Sequence, residues 1–157
     1  MPAPQLPPLP DDIVARLNGN LGGFNELMGF RFTAISYERL EGQLPVAPKL
    51  HQPYGLVHGG VYAAVVETMA STAAALHGMA QNRRIVGLEN ATSFLRGTRD
   101  GTLKAVCTPL ATGRRTHVWQ VDITNDEGKV AASGKVRLLA LEAEENVGGR
   151  KLEAKGG

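Results

Sequence analysis

The sequence predicts an α+β fold in which a mostly antiparallel sheet wraps around one long helix. The first observation is a continuous apolar, alanine-rich segment without proline, which runs from Gly59 to Met79 and favours helix. The second is that two strand-like runs precede this segment and four follow it. The third is the length of 157 residues, which fits one domain with a buried core. One apolar helix and one sheet can bury each other if the sheet curves around the helix.

The chain before the long helix predicts a tail, a short helix and two strands. Residues 1–10 contain five prolines, which supply no amide donors, so we expect a disordered tail. Asp11 or Asp12 can cap a short helix over the apolar residues that follow. Glycines end this helix, and a brief loop leads to strands over residues 30–37 and 43–46.

The chain after the long helix predicts four strands with turn residues between them, over 85–95, 103–108, 117–124 and 130–141. In the third of these, Trp119, Val121 and Ile123 alternate with their neighbours, as in a half-buried strand. From residue 142 the chain is rich in charge and glycine, which predicts a frayed tail over 142–157. We therefore expect a single domain over residues 11–141.

Composition and charge exclude several classes of protein. A formal net charge of +2 and an aromatic content of 5% do not suit a general nucleic-acid binder. The N-terminus lacks a secretory signal pattern, so we expect a cytoplasmic protein. Residues 56–80 approach the length of a membrane span, but Glu67 near their middle favours a buried core helix instead. Cys107 is the single cysteine and the histidines lack ligand spacing, so we expect neither a metal nor another cofactor.

Glu67 is the only firmly charged residue between Lys49 and Arg83. Burying an isolated carboxylate is costly unless it is paired or changes its protonation state. Ser71 lies four residues later and therefore shares a helix face with Glu67. The two residues predict a narrow polar stripe of the kind that lines a reactive cavity. The alternative is that Glu67 only marks the solvent-exposed face of the helix.

The start of the helix predicts a site for a carbonyl oxygen. Gly59 and Gly60 leave the first-turn amides without side-chain cover, and those amides have no partner inside the helix. With the helix dipole they can stabilise negative charge that develops on an oxygen. His58 and Gln52 can add polar contacts there. The alternatives are that the glycines only permit a tight helix entry and that His58 only caps the helix.

The spacing of these features predicts a dimer if both are functional. Gly59 and Glu67 are eight helical steps apart, which is roughly 12 Å along one helix. A donor and a base or nucleophile must both come within about 3 Å of one carbonyl group. Two antiparallel copies of the helix across a two-fold axis would bring Gly59 of one copy near Glu67 of the other.

The segment Gln52-Pro-Tyr-Gly-Leu-Val-His58-Gly59-Gly60, continued through Glu67 to Ser71, resembles the signature of the hot-dog thioesterases. The closest resemblance is to the branch that contains the phenylacetate-pathway thioesterases and the Arthrobacter-type 4-hydroxybenzoyl-CoA thioesterase. The resemblance implies a hot-dog fold in which Glu67 is the catalytic acid residue and Gly59 opens the central helix. It also implies that Gln52 orients the thioester and that Ser71 holds water or the carboxylate.

The same resemblance implies a binding surface for CoA and an oligomer. It covers about residues 24–141 and includes the strand that ends at Arg96 and the loop that precedes the fifth predicted strand. CoA phosphates are expected to meet Arg96 and the loop residues Thr112, Gly113, Arg114, Arg115 and Thr116, with Gly60 close to the thioester. The alternative is that the two loop arginines lie on a solvated turn. Composite sites between the subunits of a homodimer, paired into a homotetramer, are also implied.

The predicted function is therefore hydrolysis of an acyl-CoA thioester, with an aryl or a short- or medium-chain acyl group, to free acid and CoA. Glu67 would act as nucleophile or general base, and the sequence leaves both roles open. A hydratase or dehydratase on the same fold is disfavoured because the longer histidine motifs associated with those enzymes are absent. A non-catalytic acyl-CoA sensor and a partner-binding subunit with a vestigial pocket remain as alternatives.

Overall fold

A computed structural model describes residues 5–151 of the chain. A short 3₁₀ turn at Pro48–Leu50 precedes the long helix. In chain order the helices and strands are α1 (Ile13–Asn18), α2 (Gly23–Met28), β1 (Arg31–Ile35), β2 (Leu40–Pro45), α3 (Gly59–Ala80), β3 (Arg83–Phe94), β4 (Thr102–Thr112), β5 (Thr116–Thr124), β6 (Val130–Glu142), β7 (Asn146–Val147) and β8 (Arg150–Lys151).

Six strands form one antiparallel sheet in the order β1-β2-β4-β5-β6-β3. Helix α3 contacts five of these strands, from β2 to β6, because the sheet curves around it. The predicted hot-dog architecture, an antiparallel sheet around one central helix, is confirmed. Strand β3 lies at one edge of the sheet and pairs with β6 alone among the described residues.

The core lies between α3 and the inner face of the sheet. Trp119, Val121 and Ile123 of β5 are fully buried and alternate with more exposed neighbours, as their sequence pattern predicts. Cys107 of β4 is also fully buried, and burial raises the pKa of its thiol to about 12. Since the thiolate is the reactive form, Cys107 behaves as a small core residue.

Helix α3 packs closely against the sheet where β6 carries Gly134. A Cβ atom at this position would lie 2.6 Å from Thr92 Oγ1 and 2.7 Å from Val66 Cγ1. Real side chains do not approach so closely, so only glycine fits between α3 and β6 here. This contact sets how near the helix lies to strands β3 and β6.

The structure corrects the sequence predictions at several boundaries. The loop predicted after α1 contains helix α2, which buries Met28 against the core. Asp12 occupies the N-cap of α1 without a side-chain cap and instead pairs with Arg16 at 2.7 Å. In the predicted frayed tail, Glu142 ends β6 and residues 146–151 form a two-stranded hairpin, whereas residues 152–157 and residues 1–4 lie outside the described residues. These elements are short, and tertiary contacts rather than sequence propensity decide them.

Within residues 5–151, no helix has the length and the apolar character needed to cross a bilayer. The same residues contain no group of three or more histidine, cysteine or acidic side chains arranged to hold a metal ion.

Candidate active site

The first turn of α3 offers one unused amide among the described residues. His58 occupies the N-cap, and the Gly60 amide donates to His58 Nδ1 at 2.8 Å. Because Nδ1 accepts this bond, it carries no proton in this arrangement. None of the described hydrogen bonds uses the Gly59 amide. The expectation of two free glycine amides is therefore corrected to one, that of Gly59.

The loop before α3 holds Gln52 beside this amide. The Tyr54 amide donates to Gln52 Oε1, and Arg99 Nη1 donates to the Tyr54 carbonyl at 2.9 Å. The backbone amide of Gln52 also donates to the Leu56 carbonyl at 2.8 Å, and this bond closes the loop. The side-chain NH₂ of Gln52 has no partner among these contacts and remains available to donate to a ligand.

A cavity of about 300 Å³ brings three of the predicted residues together: Gln52, Gly59 and Arg96. The Phe94 ring packs against Gly59, where an added Cβ would lie 2.6 Å from the ring, so a glycine is required there. Tyr62 lines the same cavity, and burial raises the pKa of its phenol. A carbonyl group in this cavity could accept from the Gly59 amide while a cationic side chain lies at its edge.

Glu67 is half-buried in the middle of α3 and accepts two hydrogen bonds from neutral side chains. Ser71 Oγ donates to Glu67 Oε1 at 3.0 Å, so the predicted contact between these two residues is present. Asn90 Nδ2 donates to Glu67 Oε2 at 2.9 Å and to the Ala63 carbonyl at 3.0 Å. The carboxylate is therefore held on both oxygens without a cation against it among the described ion pairs.

Strand β3 provides the contact to Glu67 that the sequence analysis missed. Thr92 Oγ1 donates to Asn90 Oδ1 at 2.6 Å and so fixes which side of the amide faces Glu67. At Gly87, an added Cβ would lie 3.1 Å from Glu67 Oε1, so the strand passes close to the carboxylate. The signal available in the sequence was an asparagine inside a strand, where asparagine is depleted.

Glu67 does not line the cavity that contains Gln52 and Gly59, nor does it line a second cavity of about 390 Å³ that also borders the first turn of α3. Within one protomer the structure therefore does not bring it together with Gln52 and the Gly59 amide. Eight helical steps along α3 separate Gly59 from Glu67, roughly 12 Å. The shared site between two copies stays a prediction, and it is consistent with this separation.

The hairpin of residues 112–116 lies at the opposite end of the molecule from Arg96. Arg83 Nη1, just beyond the end of α3, donates to the Arg114 carbonyl at 2.6 Å. The rings of His77, near the end of α3, and His117, which follows the hairpin, lie 5.9 Å apart. With 22 residues, α3 is roughly 33 Å long. Arg96 lies at its start, so one protomer does not bring its two predicted groups of CoA contacts together.

The arginines of this hairpin border a separate cavity of about 310 Å³. Glu142 and Glu145 line it together with Arg114 and Arg115, so acidic groups offset part of the positive charge there. Glu142 is itself engaged, because Arg83 Nη2 lies 2.6 Å from its Oε1. The hairpin is therefore a mixed-charge surface rather than a purely basic one.

Comparisons with known proteins agree with this fold. The family model described as "Thioesterase superfamily" matches residues 54–132. The 1,4-dihydroxy-2-naphthoyl-CoA hydrolase of Escherichia coli is 35% identical over 123 residues, which cover 78% of this chain and 88% of the relative. The proofreading thioesterase EntH of Cronobacter sakazakii is 32% identical over 122 residues, with coverage of 78% and 88%.

The fold comparison gives the same family. A mutant of the thioesterase PA1618 from Pseudomonas aeruginosa has a TM-score of 0.80 and 32% identity, covering 87% of this chain and 97% of that one. The names of these relatives do not confirm the narrower branch indicated by the motif, although they do support hydrolase activity on thioesters. By sequence and by fold, the chain belongs to the thioesterase superfamily.

Proposed function

We propose that the protein hydrolyses acyl-CoA thioesters to a free acid and CoA. The observation that carries this proposal is the Glu67 carboxylate, which two neutral donors orient on the helix whose first-turn amide faces a cavity. A positioned carboxylate and a helix N-terminal donor are the groups that ester hydrolysis requires. The E. coli relative, named as a hydrolase of a CoA thioester, supports the same class of substrate.

In the proposed reaction, the thioester oxygen accepts a hydrogen bond from the Gly59 amide, and the Gln52 NH₂ group adds a second donor. Glu67 of a second copy either attacks the carbonyl carbon or removes a proton from a water molecule that attacks it. The C–S bond then breaks, and the sulfur leaves as the CoA thiolate. In the general-base route, the thiolate takes up the proton that Glu67 removed from water. In the nucleophilic route, water subsequently hydrolyses the acyl-enzyme anhydride, which releases the acid, regenerates the Glu67 carboxylate and supplies the proton that the thiolate takes up. Ser71 orients the carboxylate or the water.

The remaining predicted residues have supporting roles in this proposal. His58 holds the first turn of α3 through the Gly60 amide, so Gly60 contributes to the shape of the site rather than an amide donor. Arg96 meets the CoA phosphates at the cavity edge, and the hairpin of residues 112–116 meets them from the second copy. The acyl group is an aryl or a short- or medium-chain group, and the reaction takes place in the cytoplasm.

Thiol release from a panel of aryl-, short- and long-chain acyl-CoAs tests the proposal. We expect Glu67→Ala and Glu67→Gln to lower kcat/KM by roughly 10²–10⁴-fold, the usual cost of losing a positioned acid–base group. Thermal unfolding should show that both variants remain folded. Thiol reagents suit this assay because the buried Cys107 thiol, with its raised pKa, reacts poorly in the folded protein.

Two results would contradict the proposal. Turnover at the wild-type rate by a folded Glu67→Ala protein would remove Glu67 from the mechanism. Tight binding of acyl-CoA by the wild-type protein, without release of thiol from any member of the panel, would indicate the non-catalytic acyl-CoA sensor instead.

A further inference from the structure

A second cavity, of about 390 Å³, lies on the other side of the first turn of α3. Its apolar wall is formed by Phe24, Leu27 and Met28 of α2 together with Leu50 and Val61. His58 and Gly60 also line it, so the cavity borders the same helix start as the cavity that contains Gln52 and Arg96. Its volume falls near the lower end of the roughly 300–1,000 Å³ usual for small-molecule sites.

Two large apolar side chains at this cavity are left in water. Phe24 is 63% exposed and Leu27 is 66% exposed, whereas Met28 of the same helix is buried. A single exposed apolar residue needs no explanation, but two on one short helix beside an apolar cavity form a surface that a ligand could cover. The exposed Lys49 at the rim can keep its ammonium group in water.

Hydrogen bonds hold helix α2 in place as one wall of this cavity. Thr68 Oγ1 of α3 donates to Asn25 Oδ1 at 2.7 Å, and Asn25 Nδ2 donates to the Leu21 carbonyl at 2.9 Å. The Phe30 amide donates to the Asn25 carbonyl at 3.1 Å. These bonds anchor both ends of α2, so the cavity is a preformed feature of the fold.

The chemistry of a CoA thioester matches this pair of cavities. Its carbonyl carbon carries two arms, a polar sulfur arm that ends in anionic phosphates and an acyl arm. With the carbonyl oxygen at the Gly59 amide, the cationic Arg96 side suits the CoA arm, and the apolar α2 side suits an uncharged acyl arm. We infer that the acyl group binds in the α2–α3 cavity and that the substrates carry an apolar chain or ring. This inference rests on the proposed function.

A series of straight-chain acyl-CoAs from two to twelve carbons tests the inference. We expect wild-type kcat/KM to rise by up to roughly fourfold per methylene until the cavity is filled. The double variant Phe24→Ala/Leu27→Ala should flatten this rise, and Val61→Phe should move the optimum to shorter chains. Leu110→Ala is the matched control, because Leu110 is 54% exposed on β4 and lies outside the cavity lining, and it should keep the wild-type chain-length profile.

The same variants are measured for binding of S-alkyl-CoA thioethers, which cannot be hydrolysed. Affinity should increase with alkyl length in the wild type and less so in Phe24→Ala/Leu27→Ala, whether or not the protein turns over thioesters. An unchanged length dependence in this double variant overturns the inference while leaving thioesterase activity intact. The inference is also overturned if Phe24→Ala/Leu27→Ala changes the oligomeric state but leaves the length dependence unchanged. The exposed apolar surface of α2 would then be an interface between copies.

Discussion

Each oxygen of the Glu67 carboxylate accepts a hydrogen bond from a neutral side chain, Ser71 on one side and Asn90 on the other. Such bonds orient a carboxylate without the competing cation that an ion pair would place in front of it. A base or nucleophile benefits from this arrangement because its geometry is fixed before the substrate arrives. Glu67 is thus a carboxylate whose position depends on both α3 and β3.

Asn90 is expected to act as a positioning residue for Glu67. Asn90→Leu removes the donor at similar size, and we expect kcat to fall by roughly tenfold with little change in KM, less than for Glu67→Ala. Thr92→Ser should keep near-wild-type kcat because it retains the hydroxyl that orients Asn90, whereas Thr92→Val should resemble Asn90→Leu. A KM effect without a kcat effect, or equal losses in both threonine variants, would contradict this role.

His117 makes stability depend on pH. Burial lowers its pKa below the ordinary value of about 6.5, and the nearby His77 and Arg83 lower it further. Below about pH 6.5 the unfolded chain therefore binds more protons than the folded protein, so the free energy of unfolding decreases as the pH falls. Urea unfolding between about pH 8 and about pH 5.5 should show a smaller decrease in His117→Gln than in the wild type. Identical decreases in the two proteins would rule out this contribution.

The position of α3 against the sheet depends on the close contact at Gly134. The added methyl group of Gly134→Ala would meet Val66 of α3 and Thr92 of β3 at distances that real side chains do not adopt. Because Thr92 orients Asn90, the same contact connects the packing of the helix to the Glu67 carboxylate. The spacing between α3, β3 and β6 is therefore a structural condition of the proposed site.

Gly134→Ala should lower the free energy of unfolding by about 1–3 kcal/mol, as is usual for overpacked cores. Gly23→Ala is the control, since a Cβ there has open space and its backbone φ is ordinary, and it should be close to neutral. Chemical denaturation of both variants measures the difference. Equal stability of the two variants would show that α3 and the sheet move apart without cost.

The sequence predicts the elements that have long hydrophobic patterns, and it does not predict those that depend on tertiary contacts. The apolar run from residue 59 located α3, its single firm charge identified Glu67, and the spacing of four residues identified Ser71. Helix α2 was missed because its six residues follow glycines and gain order from the hydrogen bond between Asn25 and Thr68 of α3 and from the burial of Met28 in the core. Asn90 was missed as a candidate site residue because its contact to Glu67 joins two residues that lie 23 positions apart, on different elements.

Strand β3, which is twelve residues long, lies at an edge of the sheet, and its outer side pairs with no other strand among the described residues. Leu88 and Phe94 on this strand are 56% and 57% exposed. A long unpaired edge strand that also exposes apolar side chains can pair with another chain, which favours pairing with a second copy. Two copies with antiparallel α3 helices would also bring the separated halves of the site together, with Gly59 from one and Glu67 from the other.

In the proposed shared site, Glu67 of one copy acts on a thioester bound at the Gln52 end of the other. Activity of verified heterodimers tests it, made by co-expressing Glu67→Ala with Gln52→Ala/His58→Ala because an obligate interface exchanges slowly. Each parent homodimer should be inactive or nearly so, whereas a heterodimer retains one intact site and should approach about half of wild-type activity. A heterodimer without recovered activity, or a stable monomer with full activity, would contradict the shared site.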